Sequence, residues 1–216
     1  MPEANPVSRM FQAMAERKIR NYNEQNRNAV RGATVCAGSS LMENFPINEM
    51  LMTRGIHKVV YNRGMSAYTI DQYNEVLNTC VLDLEPSKLF INIGSNDLNL
   101  PGDTLGNMAR KYKALLQRIR TALPECKITL LAFYPCLPPT PGAELQPGRV
   151  PRTMENVNRA NELVRGIAKE MGLGYLDLNA PLLDENGFLR KELSTDDIHF
   201  SSAGYELVLD QLAEYL

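Results

Sequence analysis

Three features of the sequence predict a three-layer α/β/α sandwich around a central sheet of about five parallel strands. Short apolar segments alternate with longer segments that carry apolar residues at helical spacing. The apolar segments are hydrophobic at nearly every position, as strands buried on both faces require. The first three end in glycine.

The elements run in order along the chain. Residues 7 to 29 place Met10, Met14, Ile19 and Tyr22 at helical intervals in a polar background, which predicts a surface helix with a packing stripe. "ATVCAG" is the first strand, and "LMENFPINEML" is a helix interrupted near Pro46. "HKVVYNRG" is the second strand. "TIDQYNEVLNTCVLDL" is a helix stopped by Pro86. "KLFINIG" is the third strand, and "TLGNMARKYKALLQRIRTALP" is a helix with Leu105, Met108, Tyr112, Leu115, Leu116 and Ile119 on one stripe. "KITLLAFYP" is the fourth strand. "TMENVNRANELVRGIAKEMG" is a helix, "LGYLDL" the fifth strand and "AGYELVLDQLAEYL" the closing helix. The Pro-rich stretch from Cys136 to Arg152 breaks the alternation, and loops of that length in compact folds often border a site. The whole of 1–216 reads as one domain, with 1–32 as an N-terminal helical extension packed on it or on a second copy in a homo-oligomer.

Composition narrows the function. A 44% hydrophobic, 22% charged chain of net charge −2 is globular, and its charge offers no reason to bind nucleic acid or an anionic membrane. No segment is apolar for the roughly 20 residues a membrane span needs. The N-terminal stretch lacks an apolar signal core, which points to the cytoplasm. Cys36, Cys80, Cys126 and Cys136 are scattered, and with two histidines in all a metal site is not expected. Buried free thiols are the simplest reading of the cysteines, and a surface position that of His57.

In an open parallel sheet the working residues gather at the carboxyl ends of the strands. There the sequence places Gly38-Ser39-Ser40, the turn Asn62 to Tyr68, and Gly94-Ser95-Asn96-Asp97. Before the last helix it places Asp196 and His199. A hydroxyl becomes a nucleophile when a histidine oriented by a carboxylate takes its proton. Asp196 and His199, three residues apart, share one face if they lie in a helical turn. Asp97 reads as a structural residue that bonds loop backbone. Simpler roles stand beside these: Ser40 as a helix cap, Asp196 as a cap of its own segment, Asn96 as a turn former.

Four segments in order, "GSSL" at 38–41, "NRGMSAYT" at 62–69, "GSND" at 94–97 and "DDIH" at 196–199, resemble the four sequence blocks of the SGNH (GDSL) hydrolases. The resemblance spans about Ala33 to Tyr205. It implies a flavodoxin-like sandwich and hydrolysis of carboxylic esters without metal or cofactor. By this resemblance Ser40 is the nucleophile, His199 the base and Asp196 its orienting acid. The N–H groups of Ser40 and Ala67 and the amide of Asn96 form the oxyanion hole. Tyr68, Tyr134 and Leu137 line an acyl pocket or belong to the core. Two positions depart from the blocks. Ser39 stands where the family has aspartate, and Ala67 stands where it has a glycine. The expected substrate is a small-molecule ester with a short acyl or acetyl group. The alternative is a weak or inactive relative that binds a ligand or a partner.

Overall fold

The computed structural model describes residues 6–102, 104–140 and 149–216. Five parallel strands form one sheet in the order β2-β1-β3-β4-β5: β1 Thr34–Gly38, β2 Val60–Gly64, β3 Lys88–Asn92, β4 Lys127–Leu131 and β5 Gly174–Leu176. The helices are α1 Pro6–Asn26, α2 Ser40–Glu43, α3 Ile47–Thr53, α4 Ile70–Glu75, α5 Leu77–Cys80, α6 Leu105–Ala122, α7 Met154–Met171 and α8 Ser202–Leu212.

Side chains alternate across each strand and so build two cores. Val35, Ala37, Leu89, Ile91, Ile128 and Leu130 face α4, α5, α6 and α7. Cys36, Val60, Phe90 and Leu131 face α2, α3 and α8. Burial on both faces is why β1 and β3 read as nearly unbroken apolar runs. β1 sits inside the sheet, and the chain leaves it to β2 on one side and later reaches β3 on the other. That reversal opens a crevice at the carboxyl ends, where ligands bind in open α/β sheets. Gly38 lies level with Gly64 on β2 and Asn92 on β3, so the segments after the three strands emerge side by side.

Several elements differ from the sequence pattern. The helix expected over 70–84 divides into α4, α5 and a 3₁₀ turn at Leu82–Leu84. At Val76 the backbone opens to φ −104°, ψ 10°, and its N–H bonds back three residues to Tyr73 O. The hydrophobic spacing survives that break, because Tyr73, Leu77, Cys80 and Leu84 are all buried. In α1 the stripe does not pack along its whole length. Met10 and Met14 are 55% and 60% exposed, while Ala15, Ile19 and Tyr22 meet the core. Tyr22 donates to Gly64 O, and Asn26 donates to Thr79 O and accepts from Arg63. Cys36, Cys80 and Cys136 are buried free thiols, and Cys126 is half-buried. His57 is exposed.

The end of β2 is the tightest join. A Cβ on Gly64 would sit 2.2 Å from Glu43 N and 2.5 Å from Glu43 Cα, against backbone that cannot give way locally. Gly166, on the exposed face of α7, has nothing within 4 Å of the same added atom. Gly64→Ala is expected to lower unfolding free energy by about 3 kcal/mol through overpacking. Gly166→Ala is expected to raise it by about 0.5 kcal/mol by restricting the unfolded chain. Urea denaturation of both variants measures the contrast.

Candidate active site

Ser40 opens α2 directly after β1. The residue at the cap position is Ser39, which makes no side-chain cap bond. Ser39 is 2% exposed, and its carbonyl accepts from Met42 and Glu43. The Ser40 hydroxyl points the other way, with its Oγ 2.7 Å from His199 Nε2. The two residues are separated by most of the chain and meet because α2 and the segment before α8 cover the same face of the sheet. An aromatic group fixes that packing. Phe45 stacks on Tyr205 at 5.0 Å, Phe200 lies edge-on to Tyr205 and Tyr134, and Tyr205 donates to Leu41 O at 2.9 Å.

Asp196 and His199 do not occupy the helical turn that their spacing predicts. Residues 195–199 form a bend closed by a bridge between Ser194 and Phe200, with Asp197 in the left-handed region at φ 71°. The carboxylate shapes the bend itself. Asp196 Oδ1 accepts from the backbone N–H of His199 at 2.8 Å and of Ile198 at 3.3 Å, an aspartate-capped turn. It meets the ring as well, with His199 Nδ1 lying 2.7 Å from Oδ2 and 2.9 Å from Oδ1. The carboxylate thus contacts both the backbone of the bend and the ring. An ionised carboxylate only accepts, so the proton between them belongs to Nδ1, and the Nε2 lone pair then faces the Ser40 hydroxyl. Partial burial works to raise the Asp196 pKa. The hydrogen bonds from the His199 backbone and ring outweigh it and hold the carboxyl below its usual range.

Three donors border the same edge. Among the described residues no protein acceptor lies on the N–H of Ser40 or of Ala67. Ala67 has φ 64°, so it keeps the left-handed backbone that glycine adopts freely, at a cost of about 1 kcal/mol for alanine. Asn96 follows β3 and donates one amide N–H to Tyr68 O at 3.0 Å. Its other face meets two arginines that sequence reasoning did not single out. Arg149 donates to Asn96 O at 3.1 Å. Arg152 reaches Asn96 Oδ1 at 3.4 Å and grips Asn99 Oδ1 through Nε and Nη2 at 3.2 and 3.0 Å. Burial pushes the Arg152 guanidinium down to about 10, and the charge of Arg149 acts in the same direction. The only sequence signal for this pair was the long Pro-rich loop that ends with them, of which 141–148 lie outside the described residues.

The remaining expected positions separate. Tyr134 is 4% exposed inside the second core, while Tyr68 and Leu137 are partly exposed. Leu137 N donates to Asp197 O at 2.9 Å and so ties the Pro-rich loop to the histidine bend. Asp97 is buried and accepts from Ile70 N at 3.0 Å, the backbone role its position suggested. Among the described residues no group of three or more His, Cys, Asp and Glu could hold a metal ion. No described helix is long and apolar enough to cross a membrane.

The chain is similar to known proteins in sequence and in fold. The sequence profile of the GDSL-like Lipase/Acylhydrolase family matches residues 46–207. No curated protein sequence matches the chain. Among solved structures, a Streptococcus pneumoniae protein provisionally described as a platelet activating factor superposes with a TM-score of 0.83 at 25% identity. That match covers 97% of this chain and 95% of the other. A GDSL-like lipase from Bacteroides thetaiotaomicron gives 0.72 at 19% identity over 91% and 97% of the two chains. An acetylxylan esterase from Geobacillus stearothermophilus gives 0.63 at 18% identity over 85% and 94%. The five-stranded parallel sandwich and the family match agree: this chain belongs to the GDSL-like lipase/acylhydrolase family and is a hydrolase of ester bonds.

Proposed function

We propose that the protein is a serine esterase that works through Ser40, His199 and Asp196 and an acyl-enzyme intermediate. The observation that carries this reading is the continuous line from the Ser40 hydroxyl through the imidazole to the Asp196 carboxylate, with 2.7 Å at each junction.

Each step uses that line. The Ser40 oxygen bonds to the ester carbonyl carbon as its proton passes to His199 Nε2. The imidazolium so formed sits against Asp196, which offsets its charge and keeps the ring in place. The carbonyl electrons move onto oxygen, where the N–H groups of Ser40 and Ala67 and the Asn96 amide receive them. Collapse of this adduct breaks the bond to the alcohol, which leaves with the proton from His199. Water then gives a proton to the same nitrogen, attacks the acyl carbon, and the acid departs as Ser40 regains its hydrogen.

The substrate we infer is a small ester with a short acyl or acetyl group. Two observations support it. The sequence provides no long apolar lid, and Tyr134, a candidate for the pocket wall, is committed to the core. The acetylxylan esterase likeness is compatible with an acetyl group, and a cytoplasmic setting fits a chain with buried free thiols.

Replacing Ser40 with alanine is expected to lower p-nitrophenyl acetate turnover at least about 10⁴-fold and to abolish labelling by a fluorophosphonate. Ser39→Ala should retain the label, mapped to Ser40 by mass spectrometry. Turnover by Ser40→Ala at the wild-type rate would end the proposal. Asn96→Ala is expected to cost about 3 kcal/mol of transition-state stabilisation, read as a kcat loss on the order of 10²-fold with KM little changed.

The pH dependence has a definite sign. Asp196 has a depressed folded pKa. Its contribution to folding is therefore complete above the ordinary carboxylate value and disappears as pH falls through the depressed one. A pH–stability profile checks this, because Asp196→Asn should remove that loss at the acid end.

A further inference from the structure

Ala67 sits in a left-handed backbone without the freedom of glycine. A strained residue of this kind persists only where its surroundings fix it from several sides. One side chain next to the turn does so. Glu43 Oε2 accepts from Ser66 N at 2.6 Å, a short charge-assisted bond to the residue immediately before Ala67. Glu43 is the last residue of α2, the helix that Ser40 begins. The same carboxylate is held from outside by an ion pair with Lys18 of α1, and it is 22% exposed. The backbone beneath is already in contact, since Gly64 has no space for a Cβ against Glu43. Asn62 adds a second tie, donating to Met42 O and Phe45 O and accepting from Gly64 N.

We infer that Glu43 is a positioning residue whose carboxylate, anchored by Lys18, ties the Ser40 helix to the Ala67 turn and keeps the Ser40 and Ala67 N–H groups aimed at one oxygen. The inference rests on the esterase reading of Ser40. A neutral amide at position 43 still offers an oxygen to Ser66 N but not a charge to Lys18. The effect of removing the clamp should also depend on how much strain the turn carries, and Ala67→Gly relieves that strain.

The test is a kinetic cycle with p-nitrophenyl acetate on wild type, Glu43→Ala, Ala67→Gly, the double variant and Glu43→Gln. Far-ultraviolet circular dichroism and thermal melts establish that each is folded. Glu43→Ala is expected to lower kcat about 10- to 100-fold with KM nearly constant. Glu43→Gln should recover most of that loss, and the factor lost on removing Glu43 should shrink in the Ala67→Gly background. Wild-type kcat in Glu43→Ala would overturn the inference, and so would an equal loss in both backgrounds. If Glu43→Ala unfolds, Lys18→Met with and without Ala67→Gly carries the same comparison, and kcat unchanged by Lys18→Met overturns the inference. Fluorophosphonate labelling of Ser40 in the wild type is the separate readout for the esterase reading. Its failure sinks that reading, whereas retained labelling with an insensitive Glu43 sinks only this one.

Discussion

Helix α2 can lie against the ends of β1 and β2 only because Gly38 and Gly64 carry no side chain. An added Cβ at Gly38 would come within 2.5 Å of Asn92 O and 2.8 Å of Met42 Cβ, and at Gly64 within 2.2 Å of Glu43 N. The parallel register then lays out the edge of the sheet. Gly38, Gly64 and Asn92 lie level with one another, so a serine two residues past β1, a turn just past β2 and an asparagine just past β3 come out of the sheet together. Any larger residue at either glycine would lift the helix and move the Ser40 N–H away from the Ala67 turn. Close backbone packing, which costs nothing in side-chain entropy, thus sets geometry that side chains alone would hold loosely.

The histidine arrives by a different route. No regular element carries it. The bend at 195–199 is held by its own atoms: the Asp196 carboxylate on two backbone N–H groups, and the His199 carbonyl accepting from Thr195 N at 2.9 Å. Phe200 then anchors the bend in the aromatic group beneath α2. One carboxylate both shapes the chain and orients the ring. Substituting it therefore affects loop order as well as ring orientation, and the two effects separate only when structure and rate are followed together.

Much of this was legible in the sequence, for identifiable reasons. Strands buried on both faces appear as unbroken apolar runs, and glycines at strand ends mark where helices approach closely. The edge positions of Ser40 and Asn96 follow from those two facts, and that of His199 from the irregular segment before the last helix. The illegible part depends on local detail. Spacing of three between Asp196 and His199 is satisfied by a helical turn and by an aspartate-capped bend alike, so periodicity could not choose. Val76 leaves the hydrophobic spacing intact while the hydrogen-bond ladder breaks, and a pattern of side chains does not register that. The arginines at 149 and 152 carry no periodic signal, because they serve a loop and reach their partners across the fold.

Those arginines also bear on the electrostatics of the edge. Arg152 is nearly enclosed, yet among the described residues its hydrogen-bond partners are the neutral amide oxygens of Asn96 and Asn99. Arg63, in β2 just before Gly64, is similar. It donates to Asn62 O and Asn26 Oδ1 and lies over the rings of Tyr22 and Tyr61. Burial draws the pKa of both guanidiniums downward, the sign of desolvation that their partners do not fully offset. A carboxylate would have relieved that cost and cancelled the field of the cation at the same time. Carbonyl oxygens and aromatic faces meet most of the N–H groups, Arg63 Nε being buried without a hydrogen-bond partner among the described residues, and they carry no charge to cancel the cations. Arg152 therefore keeps its positive field beside Asn96 in a chain whose net charge is −2.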